Sequence, residues 1–263
     1  LRTHEDRYAR IITTEMGKPL AESKAEVEKC AWNCEYYAEN GERFLRNEPR
    51  ASAATESYIQ YLPLGPVLAI MPWNFPFWQV MRFAAPALMA GNTAILKHAS
   101  NVPQCALALE EVFRESGFPE GAFRSLLVPG SSAGALIEDA RIAAVTLTGS
   151  EAAGSQAASL SGRGLKKTVL ELGGSDPFII LEDADLEAAV RIGVRARFQN
   201  AGQSCIAAKR FIVVESVFHA FQESFVEAVR ALKVGDPMDP ATQIGPLARG
   251  DLRDDLERQV RDS

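Results

Sequence analysis

Apolar residues recur three and four positions apart through the first 45 residues, in Tyr8, Ile11 and Ile12 and again in Val27, Ala31 and Cys34. That spacing is the period of one α-helical face, so helices are predicted across 1–45. The pattern changes over 46–63. Glu56-Ser57-Tyr58-Ile59-Gln60-Tyr61 alternates in part with a period of two, which predicts an exposed strand. Such a strand invites pairing with something else, and a bridge to another subunit is expected for 46–63.

From Gly65 the rhythm becomes strand, helix, strand. Strands are predicted at Val67–Met71, Thr93–Lys97, Arg124–Val128, Ala143–Thr148 and Lys167–Leu172. Helices are predicted at Gln79–Met89 (interrupted by Pro86), Pro103–Ser116 (ended by Gly117), Ser132–Glu138 and Ser150–Leu160. This alternation predicts an α/β fold with a mostly parallel sheet and helices on both faces, whose ligands sit beyond the carboxyl ends of the strands. After Gly173-Gly174 a new unit begins, with strands at Phe178–Leu181 and Arg210–Glu215 and helices at Asp185–Phe198 and Val217–Leu232. The expected organisation is 1–45 with 64–173 as one domain, 46–63 as a bridging segment, and 174–263 as part of a second domain. No initiator Met is present, and the helical patterns are under way at both ends, so a piece of a longer protein is expected.

Composition narrows the function classes. The chain has 263 residues, 47% hydrophobic and 24% charged, with a net charge of -6 and mixed signs along its length. This fits a soluble, weakly acidic enzyme and argues against a nucleic-acid surface. No apolar run reaches the roughly 20 residues of a membrane helix; the longest, Phe83 to Leu96, is broken by Pro86, Gly91 and Asn92. No signal peptide is visible among Arg2, His4, Glu5 and Asp6. Cys30 and Cys34 read as neighbours on one helix. His4, His98 and His219 form no ligand cluster, so no metal site is expected. A reduced, cytoplasmic protein is the expectation.

Four short segments carry candidate chemistry. Cys205 follows the polar turn Asn200-Ala201-Gly202-Gln203-Ser204 rather than an apolar stripe. It is a core residue or an exposed nucleophile; a helix N-terminus there would lower its pKa. Glu171, at the end of an apolar strand in Leu170-Glu171-Leu172-Gly173-Gly174, sits at a site mouth, in the glycine turn, or in a surface ion pair. In Pro72-Trp73-Asn74-Phe75-Pro76 two prolines stiffen the backbone around one amide. That suits a preorganised oxyanion donor, or a cap on the following helix. Thr148-Gly149-Ser150 leads from a strand into a helix N-terminus that presents free N–H groups to a phosphate.

Together and in this order, these blocks and Gly91-Asn92-Thr93-Ala94-Ile95-Leu96-Lys97 resemble the aldehyde dehydrogenase superfamily over essentially the whole chain. The resemblance implies a Rossmann-like cofactor-binding domain followed by the beginning of an α/β catalytic domain. It implies that Cys205 attacks the aldehyde, that the Asn74 amide and the Cys205 N–H hold the oxyanion, and that Glu171 activates water to hydrolyse a thioester. Relatives that pass the acyl group to coenzyme A usually lack this glutamate, so a free carboxylic acid is expected. For the cofactor, NADP or NAD, it implies Ile70, Met71, Pro72 and Trp73 on the ribose and nicotinamide side. Lys97 and Ser100 would lie at the adenosine ribose and Gly149 and Ser150 at the pyrophosphate, and Gly130 and Leu172 are further cofactor-binding candidates. NAD-preferring relatives often carry Glu at the position of Ser100, so NADP should be accepted.

Arg82 matches the arginine with which succinate-semialdehyde dehydrogenases hold the substrate carboxylate; a structural ion pair is the other reading. Gln199 stands where a second arginine is often found, and Ala207 removes a second cysteine used by some relatives. The wording at 25–32, 171–177 and 207–211 is most similar to the bacterial NAD(P)-dependent succinate-semialdehyde dehydrogenase branch. Another small aldehyde, or a non-catalytic cofactor-binding fragment, are the competing readings. A homo-oligomer is expected of the full-length protein, with no nucleic-acid or membrane partner.

Overall fold

A computed structural model describes residues 1–263, which divide into two compact units. The first comprises Leu1–Tyr8 and Lys24–Leu172, the second Ala9–Ser23 and Gly173–Ser263. Helices α1 (Glu5–Met16) and α2 (Leu20–Leu45) follow a short 3-10 turn at Arg2–His4. In α1, Tyr8, Ile12 and Met16 recur every fourth residue and are buried, as an amphipathic helix requires.

Residues 9–23 pack with the second unit in this structure. The cause is long-range packing. Gly17 has φ +78°, and a Cβ there would stand 2.8 Å from the Pro246 carbonyl oxygen. The Leu20 amide donates to the Pro237 carbonyl at 2.9 Å. The Asn200 amide donates to the Glu22 carboxylate at 2.8 Å.

In the first unit β1 (Glu48–Pro49) and β2 (Tyr58–Ile59) form a small antiparallel ladder. The strand expected at 56–61 is thus one arm of a hairpin, short and exposed. The remaining elements are β3 (Pro66–Met71), α3 (Trp78–Met89), β4 (Thr93–His98), α4 (Pro103–Glu115), β5 (Phe123–Ser125), α5 (Ala133–Glu138), β6 (Ala144–Thr148), α6 (Glu151–Arg163) and β7 (Lys167–Glu171). Helix α3 runs through Pro86 rather than stopping there. The five strands are all parallel, in the order β5-β4-β3-β6-β7. The chain moves outward from β3 to β5, then returns past β3 to β6 and β7. The reversal places a topological switch point between the carboxyl ends of β3 and β6, where such sheets bind ligands. Central strands are covered on both faces, so β3 and β6 read as continuous apolar runs. Leu68, Val145 and Leu147 pack with Ile137, Ile142 and Ala157 as a core on one side.

The second unit contains β8 (Asp176–Ile180), α7 (Leu186–Phe198), β9 (Ala208–Val213), α8 (Glu215–Arg230) and α9 (Gly250–Asp262). Strands β8 and β9 are parallel, with Phe178 opposite Phe211, Ile179 opposite Ile212 and Ile180 opposite Val213. One face of the pair packs Ile180, Phe178 and Phe211 onto Val190, Val194 and Phe221. Strand β9 and helix α8 each begin two residues before the positions expected, because Ala208 already pairs with Asp176 and Val214 serves as the helix N-cap. No helix is long and apolar enough to cross a membrane. All four cysteines are free.

Candidate active site

The segment 72–77 links β3 to α3 at the carboxyl edge of the sheet and carries Asn74. Asn74 does not cap α3; the N-cap position is Phe77 and no side chain of the segment closes it. The buried carboxylate of Glu26, on α2, does so instead, accepting from the Phe77 amide at 2.8 Å and the Trp78 amide at 2.9 Å. An anion there satisfies first-turn N–H groups and complements the helix dipole. His98, the last residue of β4, lies against the same segment. Its Nε2 is 3.0 Å from the Pro76 carbonyl oxygen and its Nδ1 3.2 Å from that of Met71. The Ala99 amide donates to Nδ1 at 2.9 Å. Burial pushes the His98 pKa down to about 4, so the ring is neutral. With Nδ1 accepting from Ala99, the ring proton belongs on Nε2 and is donated to Pro76. Neither Glu26 nor His98 was found by sequence reasoning. Each acts on backbone groups of a segment far away in the chain, and residue type alone gives no signal of that.

Glu171 ends β7 and lies in register with Thr148, which ends β6. Arg82, on α3, reaches both: Nη1 is 3.5 Å from Glu171 Oε2, and Nη2 donates to Thr148 Oγ1 at 3.3 Å. The Arg82 and Glu171 side chains are 36% and 53% exposed, so the pair is loose and open to solvent. The Gly149 amide donates to the Glu171 carbonyl at 3.0 Å, tying the turn after β6 to the end of β7.

The cofactor candidates lie along the same edge. Ile70 and Met71 close β3, and Pro72 and Trp73 follow. Ser150 is the N-cap of α6, its hydroxyl accepting from the Ala153 amide, with Gly149 just before it. One turn on, Gly154 lets α6 approach closely, since a Cβ there would stand 2.5 Å from Leu172 Cδ2. Gly130 opens a 3-10 turn after β5 and is exposed, and Ser100 lies in the turn after β4. Lys97 is only 8% exposed, and no carboxylate or acceptor lies within bonding distance of its ammonium. Desolvation therefore lowers its pKa. A buried ammonium without a counter-charge favours an oxygen-rich, anionic ligand beside it. Together with the open N-terminus of α6, this fits a bound dinucleotide.

Cys205 lies in the second unit, in a turn between α7 and β9. No helix starts there; the next element is the strand β9. The approach to it is unusual. Asn200, Ala201 and Gly202 have φ of 54°, 53° and 77°, three left-handed residues in succession. A non-glycine residue in that region costs on the order of 1–3 kcal/mol and persists only where its surroundings fix it. Here the Asn200 carbonyl accepts from the Gln203 amide at 3.0 Å and from its side chain at 3.1 Å, and Gln203 Oε1 accepts from the Ala248 amide at 3.0 Å. Lys209 closes the turn from the far side, donating to the carbonyls of Ser204 at 3.1 Å and Cys205 at 2.8 Å. The Cys205 thiol is half-buried and free. Asn74, Arg82, Glu171 and the cofactor candidates are all in the first unit.

A family model described as "Aldehyde dehydrogenase family" matches residues 1–263. The chain is 57% identical over 266 residues to a succinate-semialdehyde dehydrogenase [NADP(+)] of Mycolicibacterium paratuberculosis, covering 100% of this chain and 56% of the relative. It is 58% identical over 260 residues to a probable succinate-semialdehyde dehydrogenase [NADP(+)] of Synechocystis sp., covering 99% and 57%. The crystal structure of succinic semialdehyde dehydrogenase from Streptococcus pyogenes in complex with NADP+ superposes with a TM-score of 0.96 at 40% identity, over 99% of this chain and 57% of that one. The chain thus spans a little over half the length of the relatives it matches.

Proposed function

The chain belongs to the aldehyde dehydrogenase family, and from that premise we propose that the whole protein oxidises succinate semialdehyde to the dicarboxylic acid with NADP+, through a thioester on Cys205. The observation that carries the reading is the joint presence of Cys205, Asn74 and Glu171, the first two on braced segments, in a chain 57% identical to an enzyme bearing that name. The first unit is the cofactor-binding domain in this reading, and the exposed β1–β2 hairpin is the bridge within a cytoplasmic homo-oligomer.

Each residue has one task. The Cys205 thiolate adds to the carbonyl carbon, and the carbonyl electron pair moves onto oxygen. The Asn74 amide and the Cys205 backbone N–H donate to that oxyanion; fixed donors of this kind are worth on the order of 10²–10³ in rate each. Lys97, Ser100, Gly149 and Ser150 would hold NADP+, which would supply the acceptor for the hydride expelled from that same carbon as the oxyanion electron pair re-forms the carbonyl and leaves a thioester. Glu171 then takes a proton from a water that attacks the thioester carbon, and the thiolate leaves as the acid is released. The exposed carboxylate of Glu171, held only loosely by Arg82, suits a base that must meet water. Ser100 offers a hydroxyl rather than a carboxylate near Lys97, which supports NADP over NAD.

The test is pre-steady-state kinetics on the whole protein. Glu171→Gln should keep a stoichiometric burst of NADPH while steady-state turnover falls by about 10²–10⁴-fold. Cys205→Ser should abolish both. Loss of the burst in Glu171→Gln would remove the glutamate from the hydrolytic step, and turnover in Cys205→Ser would end the thioester reading.

A further inference from the structure

The two ends of the Asn74 segment meet one side chain. His98 projects from the end of β4 with Nδ1 3.2 Å from the Met71 carbonyl and Nε2 3.0 Å from the Pro76 carbonyl. Those two groups bracket Pro72 to Phe75. The ring is fixed in turn by the Ala99 amide at 2.9 Å, and it is 4% exposed. Prolines at 72 and 76 limit φ at either end but leave the separation of the ends unset. Glu26 holds the downstream side, at Phe77 and Trp78.

We infer that His98 is a positioning residue for the oxyanion step, setting the Asn74 amide by donating Nε2–H to the Pro76 carbonyl while its ring wedges against Met71. This rests on the reading of Asn74 as an oxyanion donor. A displacement of about 1 Å in such a donor can lower the rate by about 10²-fold while leaving ground-state binding little changed. His98 also follows Lys97, so a merely structural loosening of the end of β4 would weaken NADP+ binding first. The two roles therefore separate in the measurement.

The experiment is a double-mutant cycle on the whole protein, with kcat and KM for succinate semialdehyde and Kd for NADP+ by protein fluorescence. The terminal amide of glutamine reaches about as far as Nε2 and can donate to Pro76; that of asparagine is too short. His98→Asn should lower kcat by about 10- to 100-fold with KM and the NADP+ Kd within about threefold. His98→Gln should stay within about threefold of wild type in kcat. Asn74→Ala should lower kcat by about 10²–10³-fold, and adding His98→Asn should lower it no further. Additive losses, or a His98→Asn whose loss appears in the NADP+ Kd, would overturn the inference. An Asn74→Ala enzyme with normal kcat would instead overturn the role of Asn74 itself. If His98→Asn does not fold, His98→Gln decides: a folded His98→Gln with a larger loss of kcat overturns the positioning role.

Discussion

At the scale of single residues, the proposed clamp role of Arg82 can be weighed against the contact it makes with Glu171. Its 3.5 Å approach to Glu171 joins two partly exposed groups, and such pairs contribute about 0–1 kcal/mol. A guanidinium held so lightly can turn to a substrate carboxylate at little cost, and its second nitrogen keeps Thr148 as a guide. A charge-assisted hydrogen bond contributes about 1.5–3 kcal/mol, or about 10- to 100-fold. Arg82→Ala should therefore lose about 10- to 100-fold more kcat/KM on succinate semialdehyde than on a neutral aldehyde of the same length. Equal losses on both would assign Arg82 to Glu171 alone. The sequence offered clamp and ion pair as rivals; the structure shows the ion pair, loose and open to solvent, and the clamp remains the proposal that this comparison tests.

Among elements, what was readable from sequence depended on whether the signal was local. The interior strands were readable because strands buried on both faces appear as apolar runs bounded by glycine and proline, as in Val67–Met71 and Ala144–Thr148. Asn74 and Cys205 stood out as candidates because each lies in a polar or rigid turn beside a strand, and Glu171 because a carboxylate ends an otherwise apolar one. The left-handed Asn200 and Ala201 did not, since nothing in those residue types demands positive φ. Glu26 and His98 were missed because their partners are backbone groups 51 and 22 residues away. The packing of 9–23 was not legible for the same reason, since it involves a loop more than 200 residues later. That junction is tight enough to test. A Cβ at Gly245 would stand 2.1 Å from the Gly17 carbonyl oxygen, a contact with backbone that no rotamer relieves. Gly245→Ala should destabilise the second unit by about 1–3 kcal/mol in urea and should speed amide exchange in residues 9–23. An unchanged midpoint would show that this junction is not what fastens the segment.

For the whole molecule, the two units differ in how much sheet they can protect. The first has three interior strands, β3, β4 and β6, covered by helices and lined by Leu68, Leu96, Val145 and Leu147 at 3% exposure or less. The second has only the pair β8–β9, and a two-stranded sheet is marginal by itself. Its inner face is packed, but the outer one is bare: the register partners Ile179 and Ile212 are 61% and 50% exposed, and Leu181, just beyond β8, is 55% exposed. Local opening free energies track such burial. In the 263-residue chain, amides of Leu68–Ile70 and Val145–Leu147 should therefore be the last to exchange with deuterium. Those of Phe178–Ile180 and Phe211–Val213 should exchange at least about tenfold sooner, a gap of about 1.4 kcal/mol. Equal protection in both sets would mean that the two units unfold as one. The relatives are longer than this chain, which matches 56% of one of them. If their additional residues cover the Ile179–Ile212 face, the slow set should keep its rate in the whole protein while the fast set slows to approach it. A fast set that stays fast there would leave that face as an exposed surface of the complete protein.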